Sequence, residues 1–367
     1  MQEIFQAVYK GKKVMVTGHT GFKGGWLCLW LVQLGAEVLG YSLPPPTEPN
    51  LFTAIGLESF LRHVEGDIRD FQQLEMVVDR FQPDLIFHLA AQPLVRLSYE
   101  DPVLTFETNV QGTVNLLEIF RKCDSTQVFI AVTSDKCYEN RGWVWGYREC
   151  DPLGGHDPYS ASKGCAELVI QAYARSYFTE EPGKRVASVR AGNVIGGGDW
   201  ARDRIVPDAV TAIVEGEKVR VRNPRAVRPW QYVLEPLSGY LWLGALMWQN
   251  FQNYAGAWNF GPPLDSAKTV KQLVEELILQ WGSGGWIDAS NPEDFYEAPQ
   301  LRLSTEKVCE LLGWRTVYDF QQAITATVNW YRAFYAGADT KFLRDLCCFQ
   351  IAGYCTEAQV KGLPWLS

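Results

Sequence analysis

The chain has 367 residues, 47% apolar and 21% charged, enough to bury the core of one large α/β domain or of a two-part body. Its net charge of -8 argues against nucleic acid as the main partner, because phosphate binding leaves a basic footprint. Nine scattered cysteines without a CxxC pair, four unclustered histidines and no signal-peptide or membrane-spanning apolar run point to a cytoplasmic protein with reduced thiols and no metal or membrane partner.

Lys13-Val14-Met15-Val16 reads as a first strand, and Trp26-Leu27-Cys28-Leu29-Trp30-Leu31 as a helix. Between them stands Thr17-Gly18-His19-Thr20-Gly21-Phe22-Lys23-Gly24. Strand, glycine turn and helix in that order suit a dinucleotide. The glycines let backbone approach a pyrophosphate, and the helix N-terminus supplies free N–H donors and a positive dipole end. Gly18, Thr20, Gly21, Phe22, Lys23 and Gly24 are therefore candidate cofactor contacts. A glycine triplet alone also fits an ordinary tight turn, and the flanking elements favour the cofactor.

Residues 36–43 read as a second strand running into Pro44-Pro45-Pro46. Its end carries Ser42 or Leu43, neither the acid that holds a ribose diol nor the Arg that holds a 2′-phosphate. The expected cofactor is NAD. A third strand ends near residue 64, placing Asp67 to hydrogen-bond an adenine and Ile68 to touch it. The alternative for Asp67 is a polar loop capping the helix over 71–81. Residues 83–92 form a fourth strand and a small-residue turn, Leu89-Ala90-Ala91-Gln92, whose backbone can lie close to a cofactor. Thr108-Asn109-Val110 opens an amphipathic helix through Arg121, and residues 128–132 form a fifth strand. Such alternation specifies a parallel sheet covered on both faces, with ligands at the carboxyl ends of the strands. Gly18, Gln92 and the residues after Val132 should converge there.

A sixth strand over 186–190 leads into Gly196-Gly197-Gly198-Asp199-Trp200. Beyond it the alternation fades, Pro, Arg and Trp are frequent through Trp230, and helical patterns return at 237–248, 270–281 and 305–312. The expected architecture is α/β: a doubly wound parallel-sheet domain over 1–192, with a return segment around 229–260. A smaller mixed α/β substrate lobe is expected over 193–228 and 261–367. The tail from Asp339, with Cys347, Cys348 and Cys355, reads as a helix without assigned chemistry.

Two clusters carry the chemistry. Tyr159 and Lys163, four apart, share one face at the start of a helix running to residue 177. An ammonium beside a phenol favours phenolate, so Lys163 is expected to lower the pKa of Tyr159 and make it a base. Directly after the fifth strand, Thr133-Ser134-Asp135-Lys136-Cys137-Tyr138 places Ser134, Asp135 and Lys136 beside a nicotinamide. Burial would make Asp135 an acid, and a depressed pKa would make Lys136 a base. The plainer alternative is an Asp-Lys surface pair. For a diphosphate, Asn193 offers an amide and Arg228 a planar fork, with Arg302 a second candidate.

The TGxxGxxG spacing of Thr17 to Gly24, the Leu89–Gln92 turn, Thr108 to Val110 and the Tyr159/Lys163 pair resemble the extended short-chain dehydrogenase/reductase superfamily, whose NAD-binding half is a Rossmann-type sheet. Ala91-Gln92-Pro93-Leu94-Val95-Arg96, Ser134-Asp135-Lys136 and Arg228-Pro229-Trp230-Gln231-Tyr232-Val233-Leu234 are most similar to its CDP-glucose 4,6-dehydratase branch. The resemblance runs from about Phe5 to Tyr335. It implies that Tyr159, helped by Lys163, takes the proton of the sugar 4-hydroxyl while C4 passes hydride to NAD, with Ser134 bonding that hydroxyl. Lys136 stands where relatives acting on dTDP-glucose or GDP-mannose carry Glu, and it, or a water it positions, takes the C5 proton. Asp135 protonates the departing 6-hydroxyl, and hydride returns to C6.

The implied reaction is therefore that of a hydro-lyase of deoxysugar biosynthesis acting on CDP-glucose. The resemblance also implies that Arg204 borders the nucleotide, that Arg96, Ser98 and Tyr99 line the sugar, and that helices over 103–121 and 159–177 pair in a homodimer or dimer of dimers. Open alternatives are another nucleotide-sugar 4,6-dehydratase or 4-epimerase, and a non-catalytic NAD-binding regulator. An epimerase has no use for Asp135 and Lys136, and a regulator none for Tyr159 and Lys163.

Overall fold

The computed structural model describes residues 4–179, 183–249, 254–263, 266–291 and 301–366. Seven strands build one sheet: β1 (Lys13–Thr17), β2 (Glu37–Ser42), β3 (Arg62–Glu65), β4 (Leu85–His88), β5 (Val128–Val132), β6 (Arg185–Ala191) and β7 (Gly256–Phe260). Their order is β7-β6-β5-β4-β1-β2-β3, and every neighbouring pair is parallel. The order reverses between β1 and β4, and the crevice at such a switch point is where open α/β sheets bind ligands.

The period-2 alternation of the strands decides which helices cover which face. Val14 and Val16 of β1, Leu85 and Phe87 of β4, and Val128 and Ile130 of β5 join one core. Met15, Ile86 and Phe129, each one residue out of step, join the other. The first core lies under α1 (Phe22–Gln33), and α2 (Phe71–Phe81) contributes Leu74, Val78 and Phe81 to the second. Between β4 and β5 run α3 (Val95–Glu100), α4 (Pro102–Phe106), a π turn (Glu107–Gln111) and α5 (Gly112–Lys122). The helix expected to open at Thr108 therefore begins earlier. Asp101 caps it by accepting from the Leu104 amide at 2.9 Å, and Pro102, which has no N–H to lose, takes the first turn.

After β5 comes α6 (Pro158–Tyr173), capped by Asp157, which accepts from the Ser160 amide at 2.9 Å. The rest of the chain supplies α7 (Ile205–Val214), α8 (Leu234–Gln249), α9 (Val270–Trp281), α10 (Glu306–Leu312), α11 (Phe320–Tyr335) and α12 (Thr340–Val360). Three short pairings join this half: Val194–Ile195 with Gln231–Tyr232, Val219–Val221 with Trp286–Asp288, and Val227–Arg228 with Lys268–Thr269. Helix α8 is buried on nearly every side, which suits a helix sandwiched between the sheet and the later helices.

The tail helix α12, capped by Asp339, lies on α1 and α11. Glu235, buried at the head of α8, accepts from the amides of Val317 and Tyr318 at 2.8 and 2.7 Å and from the Tyr354 hydroxyl at 2.7 Å. One carboxylate therefore ties α8, the 313–319 connection and the tail together. All nine cysteines are free. No helix among the described residues is long and apolar enough to cross a membrane.

The contact of α8 with β7 is tight enough to test. A Cβ on Gly239 would fall 2.2 Å from the Phe260 ring, which is fully buried. Gly239→Ala should cost about 1–3 kcal/mol by overpacking. Gly285→Ala, where a Cβ meets only Lys218 at 4.0 Å, should stay within about 0.5 kcal/mol. Urea-unfolding midpoints of the two variants check this.

Candidate active site

The crevice begins where β1 ends. Gly18 has φ of 76°, and a Cβ there would lie 2.7 Å from the Ala90 amide nitrogen, so only glycine lets the first loop touch the turn after β4. A Cβ on Gly24 would lie 2.1 Å from the Gly18 carbonyl oxygen, so α1 closes directly onto the loop. Gly21 caps α1 without any side-chain hydrogen bond, which leaves its first amides for an anion. Phe22 lies against Gly196, bringing the second glycine-rich segment to the first. The Thr20 hydroxyl is hydrogen-bonded to Ser42 Oγ at 2.8 Å and donates to the Leu43 carbonyl at 2.9 Å, pinning the loop to the end of β2.

The turn after β4 is braced from two sides. The amide of Leu89 donates to the Thr17 carbonyl at 3.1 Å, and that of Ala90 to Thr17 Oγ1 at 3.2 Å. Ala91 follows, partly buried. Asn109, in the π turn, accepts from the Gln92 amide at 2.9 Å and donates to the Gln92 carbonyl at 3.1 Å and to Ser162 Oγ at 2.9 Å. Gln92 donates through Nε2 to Thr105 Oγ1 and the Leu94 carbonyl and accepts from the Leu94 amide. Asn109 thus fastens the turn to α6, the helix of Tyr159 and Lys163, and the Gln92 side chain fastens it to α4.

Asp67 folds onto Arg69, accepting from its amide at 2.9 Å and its guanidinium at 2.7 and 2.9 Å. The cap of α2 is Asp70, not Asp67. Ile68 is buried against Gly112.

Tyr159, Ser134 and Asp135 meet at the end of β5. Ser134 donates to Asp135 Oδ1 at 3.0 Å, and the same hydroxyl favours the ionised form of the nearby Tyr159 phenol. Asp135 is buried, and burial raises its pKa against the opposing charges of Lys136 and Arg228. The exposed surface pair is excluded by that burial. Lys136 is half-buried, its amide donating to Ser134 Oγ at 3.2 Å.

Burial shifts both the Tyr159 phenol and the Lys163 ammonium. Burial pushes the phenol up to about 12, and the groups that pull it back are the Ser134 hydrogen bond and the Arg204 charge. Lys163 Nζ donates to the Val132 carbonyl at 3.5 Å. Burial holds the Lys163 ammonium down at about 8 against Glu167 and Cys137. Lys23 is held at about 8 for the same reason, with Arg204 and Lys163 adding repulsion and Asp135 attraction. Three cations, Lys23, Lys136 and Arg228, therefore act on the Asp135 carboxyl. In a chain of net charge -8, that is a local field suited to diphosphates.

The expected substrate contacts divide. Ser98 does not line a pocket: it is fully buried, accepts from the Tyr159 amide at 3.1 Å and donates to the Val95 carbonyl at 2.6 Å, so it holds the start of α6. Arg96 reaches Asp203 at 3.6 Å, and Arg204 pairs with Asp199 at 2.8 Å. Arg302 lines a small cavity with Gly192 and Pro229, and its Nε is buried without a hydrogen-bond partner among the described residues. A Cβ on Gly192 would lie 3.2 Å from Asp135 Oδ2, so that cavity adjoins the acid. Asn193 accepts from the Gln231 amide through its carbonyl at 3.1 Å. Tyr99 is exposed. Asp199, Glu167 and Arg190 carry no motif of their own. The one available signal was the i+4 spacing of Glu167 from Lys163. No cluster of three or more metal-ligating side chains exists among the described residues.

Comparisons with known proteins agree with this geometry. The family model for GDP-mannose 4,6 dehydratase matches residues 15–258. A curated CDP-glucose 4,6-dehydratase of Salmonella typhimurium is 48% identical over 90% of this chain and 93% of its own. Among solved structures, a dTDP-glucose 4,6-dehydratase from Streptomyces venezuelae with NAD bound superposes with a TM-score of 0.74 at 26% identity, covering 87% of this chain and 97% of that one. A UDP-glucose 4-epimerase from Thermus thermophilus in complex with NAD gives 0.71 at 26% identity, over 89% and 99%. By the extent of the family match and the identity to the Salmonella relative, the chain belongs to the GDP-mannose 4,6 dehydratase family.

Proposed function

We propose that the protein is an NAD-dependent hydro-lyase converting CDP-D-glucose to CDP-4-dehydro-6-deoxy-D-glucose and water, a step of deoxysugar biosynthesis. The observation that carries this reading is a buried carboxyl, Asp135, to which Ser134 donates at 3.0 Å beside Tyr159. Oxidation at C4 requires Tyr159; only dehydration also requires an acid at the same turn. Similarity to the Salmonella CDP-glucose 4,6-dehydratase supports the nucleotide.

The crevice fits NAD. The uncapped start of α1 and the Gly18–Gly24 contact leave a cradle for a pyrophosphate, and Lys23 adds charge beside it. No basic residue occupies 42–46 for a 2′-phosphate. When bound, NAD supplies a hydride acceptor for C4 and then the same hydride for C6.

The chain's own residues manage the protons. Tyr159 takes the proton of the sugar 4-hydroxyl, and Ser134 bonds the same oxygen. For a phenol pushed up to about 12, ionisation depends on Arg204 and on the Ser134 hydrogen bond. The resulting ketone acidifies C5–H, whose proton passes to Lys136 or to a water it positions. As the C6–O bond breaks, Asp135, whose pKa burial raises, donates its proton and water leaves, and C5 afterwards regains a proton. Arg228, Arg302 and Asn193 hold the diphosphate, and Arg96 crosses to the second lobe formed by 193–228 and 261–367. Two exposed apolar groups, Val103 near the start of α4 and Leu168 on α6, support a homodimer through these helices. A cytoplasmic location accords with the free cysteines.

Incubation with NAD and, separately, CDP-, dTDP-, GDP- and UDP-linked hexoses tests the reading. Loss of one water from CDP-glucose is expected; unchanged mass with inversion at C4 would make the enzyme an epimerase, and no turnover of any donor would overturn catalysis. Lys136→Ala should leave exchange at C4 measurable while slowing water loss far more. Equal loss of both steps would assign Lys136 to binding or structure.

The pH dependence follows from the cause of the Tyr159 shift. A base must lose its proton first, so the rate should rise with pH along the limb that Tyr159 controls. Arg204→Gln removes a cation that favours phenolate and should move this limb to higher pH. Tyr159→Phe should reduce kcat by about 10²–10⁴-fold. Profiles of kcat between pH 6 and about 10 measure both.

A further inference from the structure

Behind the Ser134 to Lys136 turn lies a charge pair that the chemistry above does not use. Glu167 and Arg190 are both fully buried and meet at 2.6 Å. At that depth, desolvation offsets much of the Coulomb gain, so bare stabilisation is a weak reason for such a pair. Its contacts are more telling. Glu167 Oε1 accepts from Thr133 Oγ1 at 2.5 Å and Arg190 Nε at 2.8 Å. Its Oε2 accepts from Ser188 Oγ at 2.8 Å and Arg190 Nη2 at 2.6 Å. Arg190 Nη1 donates to the Tyr138 hydroxyl at 2.6 Å and to the Glu149 carbonyl at 3.3 Å. The Tyr138 hydroxyl donates in turn to Asn259 Oδ1 at 2.8 Å.

Thr133 immediately precedes the turn and Tyr138 follows it. The pair therefore grips the turn at both ends, while Glu167 stands one helical turn beyond Lys163. We propose that Glu167 and Arg190 form a positioning clamp that fixes Ser134 and Asp135 against Tyr159 and keeps Lys163 charged. The proposal rests on the catalytic reading of those groups. The charged and titratable groups facing Lys163 are Glu167 on its own helix, Cys137 at the turn, Lys23 of α1 and His88 of β4. Of these, only Glu167 is a carboxylate, held ionised against burial by Arg190, Thr133 and Ser188.

Thr133→Val and Tyr138→Phe each release one end of the clamp and keep both charges of the pair. Each should lower kcat about tenfold, the scale expected for a reacting group held slightly out of place. KM should change less than about twofold, because the loss is in positioning and not in substrate binding. Amide hydrogen exchange at 134–138 should quicken in both. Glu167→Gln should move the alkaline limit of activity, where Lys163 loses its charge, to lower pH by about one unit, and Glu167→Asp should restore it.

Unchanged kcat and unchanged exchange in both release variants would overturn the clamp. So would a Glu167→Gln enzyme that loses stability with its pH limits intact. If Glu167→Gln does not fold, the release variants decide. Turnover of CDP-glucose by the unsubstituted enzyme tests the catalytic reading separately. Without it that reading fails, whereas turnover with unaffected variants sinks only the clamp.

Discussion

The crevice depends on one close approach, that of Gly18 to the turn after β4. With 2.7 Å between an ideal Cβ and the Ala90 nitrogen, any side chain at Gly18 would push β1 and β4 apart at the point where the strand order reverses. Gly24 repeats the constraint on the helix side, where α1 meets the Gly18 carbonyl. Because both contacts are backbone on backbone, they leave the first amides of α1 at the mouth of the switch point. Asn109 then carries the turn after β4 across to α6, so the nucleotide cradle and the Tyr159 helix form one connected frame.

Within that frame, burial is the dominant electrostatic force, and it acts oppositely on acids and bases. It raises the Tyr159 phenol and the Asp135 carboxyl and lowers the Lys163 and Lys23 ammonium groups. A single environment thus shifts an acid toward its protonated form and brings two lysines to the edge of losing their charge. Such divergence is what acid–base assignment in an active site requires. The charges that restrain it, Arg204 on Tyr159, Glu167 on Lys163 and Arg228 on Asp135, come from three different segments of the chain.

The second half of the chain contributes mainly closure and support. Gly196 and Gly197 bring the segment after β6 against Phe22 and Trp330, where a Cβ would fall 3.0 and 2.1 Å from those rings. Glu235 gathers α8, the 313–319 connection and Tyr354 of the tail onto one buried carboxylate. Burial raises its pKa to about 7 despite those donors, so the tail is fastened by a polar group that costs free energy to ionise.

Much of this protein was legible in the sequence alone. The alternation of strands and helices implied the parallel sheet. The glycine spacing implied the cradle. Tyr159/Lys163 and the Ser134-Asp135-Lys136 run implied an acid–base site, and the family resemblance they carry implied oxidation followed by elimination. These are local signals, set by periodicity, turn sterics and side-chain chemistry within a few residues. What tertiary structure decided depends on neighbours distant in sequence. Arg204 is a cation that counters burial at Tyr159; Ser98 is buried at the start of α6; Arg190 reaches Tyr138 and Glu167 at once. No spacing rule encodes which charges share a low-dielectric interior, because desolvation and Coulomb coupling follow distance in space and not position along the chain.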